Sequence, residues 1–87
     1  MTDDIFFYIQ NVGRPVGNSA RWWLPRGSGY TTDLNRAWKA PKEEAVKICQ
    51  VRHGEDVMWP CSEMDVIAER HVDVQKLRDR QPAVEGL

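Results

Sequence analysis

The sequence predicts a single small α+β domain in which an antiparallel β-meander packs against an amphipathic helix. Three observations support this class: short alternating apolar segments near the N-terminus, a helical apolar pattern in the middle of the chain, and a length of 87 residues, which leaves room for one domain. Apolar residues make up 41% and charged residues 29%, as in ordinary globular proteins. We place the domain at residues 1–77 and expect residues 78–87 to form a flexible tail.

Three segments are predicted to form the meander. Residues 5–10 are rich in aromatic and β-branched side chains, with Ile5, Phe7 and Ile9 on one face, and are typical of a strand. Residues 11–19 contain glycines and a proline, which favours an open loop over a tight two-residue hairpin turn. A second strand is predicted at residues 20–24 and a third at 30–34, joined by a glycine-rich reversal.

The cover for this sheet is predicted to be a helix that follows the meander. Pro41 suits the first position of a helix, and acidic residues follow it in the first turn. Ala45, Ile48 and Cys49 are spaced as the apolar stripe of an amphipathic helix. Gly54 stands in the usual C-terminal stop position.

The rest of the domain is predicted to add a short fourth strand at residues 57–59 and a second short helix at about residues 63–70. We expect residues 71–75 to be extended. The pattern after Pro60 fits a helix and a strand, so the conformation of residues 63–75 stays open.

Motifs for catalysis and metal binding are missing from the sequence. Two cysteines do not make the disulfide framework of a small secreted protein. Cysteine and histidine side chains are the usual zinc ligands, and the sequence has two of each. The spacings of Cys49, His53, Cys61 and His71 nevertheless match no common zinc module. Nucleophile elbows, phosphate loops and zinc-protease motifs do not occur. We therefore predict a non-enzymatic protein without catalytic residues, metal or cofactor.

The N-terminal sequence indicates the compartment. The longest apolar run, residues 5–9, is far shorter than the roughly 20 residues that a membrane span needs. The first four residues carry acids where a signal peptide would carry bases. We expect a cytoplasmic protein that does not enter a membrane.

Aromatic and basic residues cluster in the N-terminal half. Trp22 and Trp23 are adjacent in a predicted strand, so they point to opposite faces of the sheet. In one arrangement, one tryptophan packs under the helix and the other lies on the outer face of the sheet. In the alternative, a thin core needs a tryptophan on each side and both are covered. Which of the two faces solvent stays open. Trp, Tyr and Arg are enriched at protein-binding hot spots. The candidate partner-binding residues are Arg21, Trp22, Trp23, Arg26, Tyr30, Arg36, Lys39 and Lys42.

Charge is unevenly distributed along the chain. Residues 5–42 carry six bases against one acid, whereas residues 43–73 carry three bases against eight acids. Such polarity can steer association with a charged partner, and the last three candidate residues would act through this attraction. The same face could bind single-stranded nucleic acid, but a net charge of −1 favours a protein partner. Monomer and homodimer both stay open.

The string Trp-Trp-x-Pro-x-Gly-x-Gly-Tyr-Thr at residues 22–31, with Gly-Asn before it and residues 71–75 after it, resembles a family of short accessory proteins encoded by phages and prophages. The likeness covers about residues 5–77. The resemblance implies an inhibitor of the anti-CRISPR type in the cytoplasm of a bacterial host. Such an inhibitor would bind a Cas subunit of a CRISPR–Cas surveillance complex and block the binding of target DNA. It implies no catalytic residue.

Overall fold

The computed structural model describes residues 6–83, in which four strands are followed by a helix, a fifth strand and a second helix. Within this range the elements are β1 Phe6–Val16, β2 Ser19–Trp23, β3 Tyr30–Thr31, β4 Ala40–Pro41, α1 Lys42–Val51, β5 Asp56–Pro60 and α2 Cys61–Ile67. Short 3-10 helices occur at Pro25–Gly27 and Val74–Leu77. An antiparallel sheet with two helices confirms the predicted α+β class. The predictions for residues 1–5 and 84–87 lie outside the described range.

β1 is the central strand of the sheet. Gln10 lies opposite Trp22 of β2, and β5 pairs with β1 along its other edge. Phe7 lies opposite both Ala40 of β4 and Pro60 of β5, so β4 and β5 are on opposite edges of β1. β3 extends the sheet beyond β2. The strand closest to the N-terminus is therefore paired along both of its edges.

The first connection is a tight hairpin, so the predicted open loop at residues 11–19 is wrong. β1 continues to Val16, which lies opposite Ser19, and Gly17 and Asn18 form a two-residue turn between them. The φ of Gly17 is +60°, which glycine adopts at no steric cost. A glycine at the first central position is typical of the type II′ turn, whose twist matches the strands of a hairpin.

The sheet carries a small hydrophobic cluster on each face. Phe7 and Ile9 of β1 face α1, and Ala40 and Ala45 complete the buried part of that cluster. The alternate residue of β1, Tyr8, faces the other side. Its cluster contains Tyr8, Trp22, Ala37 and Cys61, with Met64 of α2 packed against it. The two helices therefore cover opposite faces of the sheet.

The predicted helix around Ala45 is confirmed as α1, with Pro41 before its first turn and Ile48 and Cys49 on its packed side. The predicted strand at residues 57–59 is confirmed within β5. α2 begins and ends earlier than expected, and the chain after Ile67 leaves the helix with extended backbone at Ala68.

Residues 68–83 are exposed throughout. The range comprises the last part of the predicted domain and the described part of the predicted tail. The radius of gyration is 16.3 Å, against roughly 12 Å for a compact chain of this length. The longest dimension of the chain is 57 Å, against 31 and 20 Å for the other two. The C-terminal segment therefore extends from the packed part. Among the described residues, no helix has the length and apolar character required to cross a membrane.

Candidate functional site

A buried carboxylate lies at the centre of the candidate site. Asp56, the first residue of β5, is 2% exposed. Its Oδ1 accepts hydrogen bonds from Asn11 Nδ2 at 3.1 Å and from Trp23 Nε1 at 3.0 Å. Its Oδ2 accepts a hydrogen bond from Arg52 Nε at 2.8 Å. Burial of an unpaired carboxylate would be strongly unfavourable. Three side-chain donors, one of them cationic, compensate for the burial of Asp56.

The turn between α1 and β5 places Arg52 against Asp56. The N–H groups of Glu55 and Asp56 donate to the carbonyl of Arg52 at 2.9 and 3.2 Å. Gly54 has a φ of +88°, a conformation that favours glycine. Arg52 is consequently held through both its backbone and its side chain.

Tyr30 is held by two arginines. Arg52 Nη2 donates to the Tyr30 hydroxyl at 3.0 Å, and the guanidinium carbon of Arg21 lies 4.3 Å from the centroid of the Tyr30 ring. Arg21 Nη2 also donates to Asn11 Oδ1. The Trp23 ring meets the Tyr30 ring edge-on, with centroids 6.1 Å apart. These contacts close a ring of side chains, which we call the Asp56 cluster: Asn11, Arg21, Trp23, Tyr30, Arg52 and Asp56.

The Asp56 cluster has a buried base and an exposed outer surface. Trp23 is half-buried, whereas Tyr30 is 38% exposed. The hydrogen bond to Tyr30 and then the one to Asp56 raise the pKa of Arg52, so its charge is permanent. Burial and then the Asp56 carboxylate raise the pKa of the Cys49 thiol, which therefore stays protonated and unreactive at neutral pH.

The depression beside the cluster is too small for a ligand pocket. Trp23, Gly27, Gly29 and Tyr30 line a space of about 70 Å³. Small-molecule sites occupy roughly 300–1,000 Å³. The space beside the cluster is therefore well below the size of a usual small-molecule site.

The two tryptophans of the predicted site both belong to the packed interior. Trp22 is 8% exposed and meets Tyr8 edge-on at 5.8 Å between centroids. Trp23 is half-buried on the α1 face. The expectation that one of them lies on an exposed outer face is not met, because α2 and the loop that carries Leu34 and Ala37 cover Trp22.

The other predicted site residues divide into two groups. Arg21 and Tyr30 belong to the Asp56 cluster, and Arg26 lies exposed in the hairpin that joins β2 to β3, with a left-handed φ of 58°. The remaining three, Arg36, Lys39 and Lys42, are exposed. Lys42 begins α1 and is therefore about 15 Å from the helix end that leads to the cluster, at 1.5 Å per residue.

Three residues of the cluster were missed by the sequence prediction: Asn11, Arg52 and Asp56. A signal for the first was present, because alternation along β1 places Asn11 on the inward face with Phe7 and Ile9. A buried amide requires hydrogen-bond partners, so a polar residue at an inward position indicates a network. Its partners come from distant parts of the chain, which spacing does not reveal.

Metal ligands do not assemble in the described residues. Between residues 6 and 83, no group of three or more His, Cys, Asp and Glu side chains is arranged to hold a metal ion. In the four-residue set considered for zinc, Cys61 is buried, Cys49 is half-buried and both histidines are exposed.

Comparison of the chain with protein-family models, with curated proteins and with solved structures finds no match. Function is therefore inferred from the chain's own geometry and from the motif at residues 22–31. Two residues of that motif, Trp23 and Tyr30, lie in the Asp56 cluster.

Proposed function

We propose that the chain is a non-enzymatic binding protein that contacts another protein through the outer surface of the Asp56 cluster. The observation that carries this proposal is the fixed position of Tyr30, which is 38% exposed between Arg21 and Arg52. Tyr and Arg are enriched at hot spots, and side chains already held in place lose little entropy on binding. A rigid aromatic ring between two cations is therefore suited to anchor an interface.

The geometry favours a protein partner over single-stranded nucleic acid. Nucleic-acid bases stack on exposed aromatic faces. One face of the Tyr30 ring is covered by the Arg21 guanidinium, and Trp22 is buried. A net charge of −1 also gives little general attraction for phosphate.

The particular partner that we propose is a Cas subunit of a CRISPR–Cas surveillance complex in the cytoplasm of a bacterial host, with inhibition by blocking the binding of target DNA. The support is the resemblance of the motif at residues 22–31 to short accessory proteins encoded by phages and prophages, together with the exposed basic side chains near that motif. Arg26 would contact the partner beside Tyr30, and Arg36, Lys39 and Lys42 would increase the association rate through attraction to an acidic surface of the partner.

Affinity capture followed by titration tests this proposal. Tagged chain is incubated with nuclease-treated lysate from cells with active CRISPR–Cas genes, and the recovered complex is purified and titrated with variants. Loss of a hot spot costs about 1–2 kcal/mol, so Tyr30→Ala and Arg26→Glu should each weaken binding by about 5- to 30-fold. Inhibition of target-DNA binding and of immunity in a phage-plating assay should fall in parallel.

The matched control is Lys47→Glu, which makes the same charge change at an exposed position of α1 outside the predicted site. It should retain the affinity of the unmodified chain. Unchanged binding by both site variants would show that another surface is used. Recovery of nuclease-sensitive material alone, with affinity that falls steeply with salt, would instead establish a nucleic-acid binder.

A further inference from the structure

The outer side of α2 carries an open apolar groove of about 540 Å³, lined by Ser62, Glu63, Met64, Val66 and Ile67. Val66 is 82% exposed and Ile67 is 67% exposed. Large neighbouring apolar side chains in contact with water are typical of interaction surfaces. This groove lies on the α2 face of the sheet, opposite the α1 face that contributes Trp23 to the Asp56 cluster.

The segment that follows α2 carries a second exposed apolar set. Val72 is 70%, Val74 75% and Leu77 51% exposed. The segment nevertheless has local order, because the Asp73 carboxylate accepts a hydrogen bond from the Gln75 N–H at 2.9 Å at the start of the 3-10 helix. A turn with a specific cap therefore presents apolar side chains that its own chain leaves exposed.

Two properties of these surfaces indicate that a second copy of the chain covers them. The backbone leaves α2 in an extended conformation at Ala68, and residues 68–83 are exposed throughout. Charge is also complementary, because α2 carries Glu63 and Asp65 without a base, whereas residues 68–83 carry four bases against three acids. Since both surfaces belong to one chain, a two-fold axis would match each segment with the groove of the other copy.

The length of the available surface fits such an interface. Residues 61–83 comprise 23 residues in each copy. Stable interfaces of standard size use roughly 20–30 residues on each side. An interface built from these residues therefore reaches the standard size without including strands of the sheet.

We propose that the chain forms a homodimer by exchanging residues 68–83, so that Val72, Val74 and Leu77 of each copy cover the α2 groove of the other. The exchange leaves the surface around Tyr30 free in both copies. It does not depend on the proposed function, because the two surfaces are on different faces of the sheet.

Sedimentation equilibrium of the full chain tests the dimer. The expected mass is twice the chain mass of 10.1 kDa. Ile67→Glu in the groove and Val74→Glu in the segment should each raise the dimer dissociation constant at least tenfold. Val51→Glu is the matched control, because Val51 is also 82% exposed but lies at the end of α1. It should leave the dimer intact, and far-UV circular dichroism should show that all three variants are folded.

The exchange itself is tested by nuclear magnetic resonance on a mixture of isotope-labelled and unlabelled chains. Contacts between methyl groups of Ile67 in one copy and Val74 in the other support the proposal. A monomer mass at every concentration, a dimer insensitive to both groove and segment variants, or contacts confined to one copy would each overturn it.

Discussion

At Asp56, a carboxylate from the acidic part of the sequence is neutralised by groups from both parts. Arg52 contacts it directly, and Arg21 is linked to it through Asn11. The separation of charge along the chain is therefore partly cancelled in space at this point. A fully hydrogen-bonded buried network also favours a single arrangement of the strands that carry it.

Asp56→Ala tests how strongly this network stabilises the fold. The substitution leaves the buried donors of Asn11 and Trp23 without their acceptor and Arg52 without its counter-ion. Each buried donor left unsatisfied costs about 1–3 kcal/mol, whereas Arg52, whose side chain is 40% exposed, can be hydrated. We expect the free energy of unfolding, measured in urea, to fall by about 2–4 kcal/mol. Glu55→Ala, at the exposed neighbouring position, should change it by less than about 0.5 kcal/mol. A similar small effect of both variants would contradict the role assigned to Asp56.

The raised pKa of the Tyr8 hydroxyl predicts a loss of folding stability in alkali. Burial and then the 2.7 Å hydrogen bond that its hydroxyl donates to Asp65 raise its pKa above the ordinary value near 10. Because the folded-state pKa is higher than the unfolded-state pKa, this stabilisation is complete below about pH 10 and is lost as pH rises through the folded-state pKa. Stability should therefore fall above about pH 10.

The variant Tyr8→Phe should lower stability at neutral pH by about 1 kcal/mol and should flatten the alkaline decrease. The measurement is the urea midpoint at a series of pH values between neutrality and strong alkali. Tyr30→Phe, which removes the other tyrosine of the described residues, should keep the decrease that Tyr8 causes. An unchanged slope in Tyr8→Phe would rule out this assignment.

At the scale of elements, the β1–β2 hairpin depends on one backbone conformation. Gly17 has a φ of +60° and open space around the position of a Cβ atom. A side chain at this position meets no neighbour, so the cost of a substitution there comes from the backbone alone.

Gly17→Ala should therefore destabilise the protein by about 1–2 kcal/mol, the cost of a left-handed conformation in an L-residue. Gly13→Ala is the matched control in the same hairpin. Gly13 does not have a positive φ, and a Cβ there would approach Asn11 Oδ1 at an ordinary 3.8 Å. This control should be neutral or stabilising by up to about 1 kcal/mol. Thermal unfolding compares the two, and equal melting temperatures would contradict the turn geometry.

Helices and strands whose pattern is visible in neighbouring residues were predicted from the sequence. The apolar stripe around Ala45 and the aromatic segment of β1 are readable because each depends on the spacing of neighbours. The third strand was predicted at residues 30–34, but β3 ends at Thr31 because of contacts between neighbouring residues. The Asp33 N–H donates to Thr31 Oγ1 and the Asn35 N–H donates to Asp33 Oδ1, so side chains turn the backbone before the strand can continue.

At the scale of the whole molecule, the sequence showed that the sheet has two faces but not what covers each of them. One of Trp22 and Trp23 was a candidate for the surface, because the second helix was not placed over the sheet. The Asp56 cluster joins residues as far apart in sequence as Asn11 and Asp56. Contacts of this kind depend on the packing of the chain, and no spacing rule identifies them.

The central position of β1 has a consequence for synthesis of the protein. Phe7 and Ile9 are synthesised before the helix that covers them, α1, and before the strand that pairs with their other edge, β5. During that interval the nascent chain displays an apolar strand with an unpaired edge, the kind of surface that aggregates or recruits chaperones. Rapid closure of the β1–β2 hairpin through Gly17 and Asn18 pairs the part of one edge between Gln10 and Val16. The hairpin turn therefore shortens the exposure of the nascent chain as well as shaping the folded sheet.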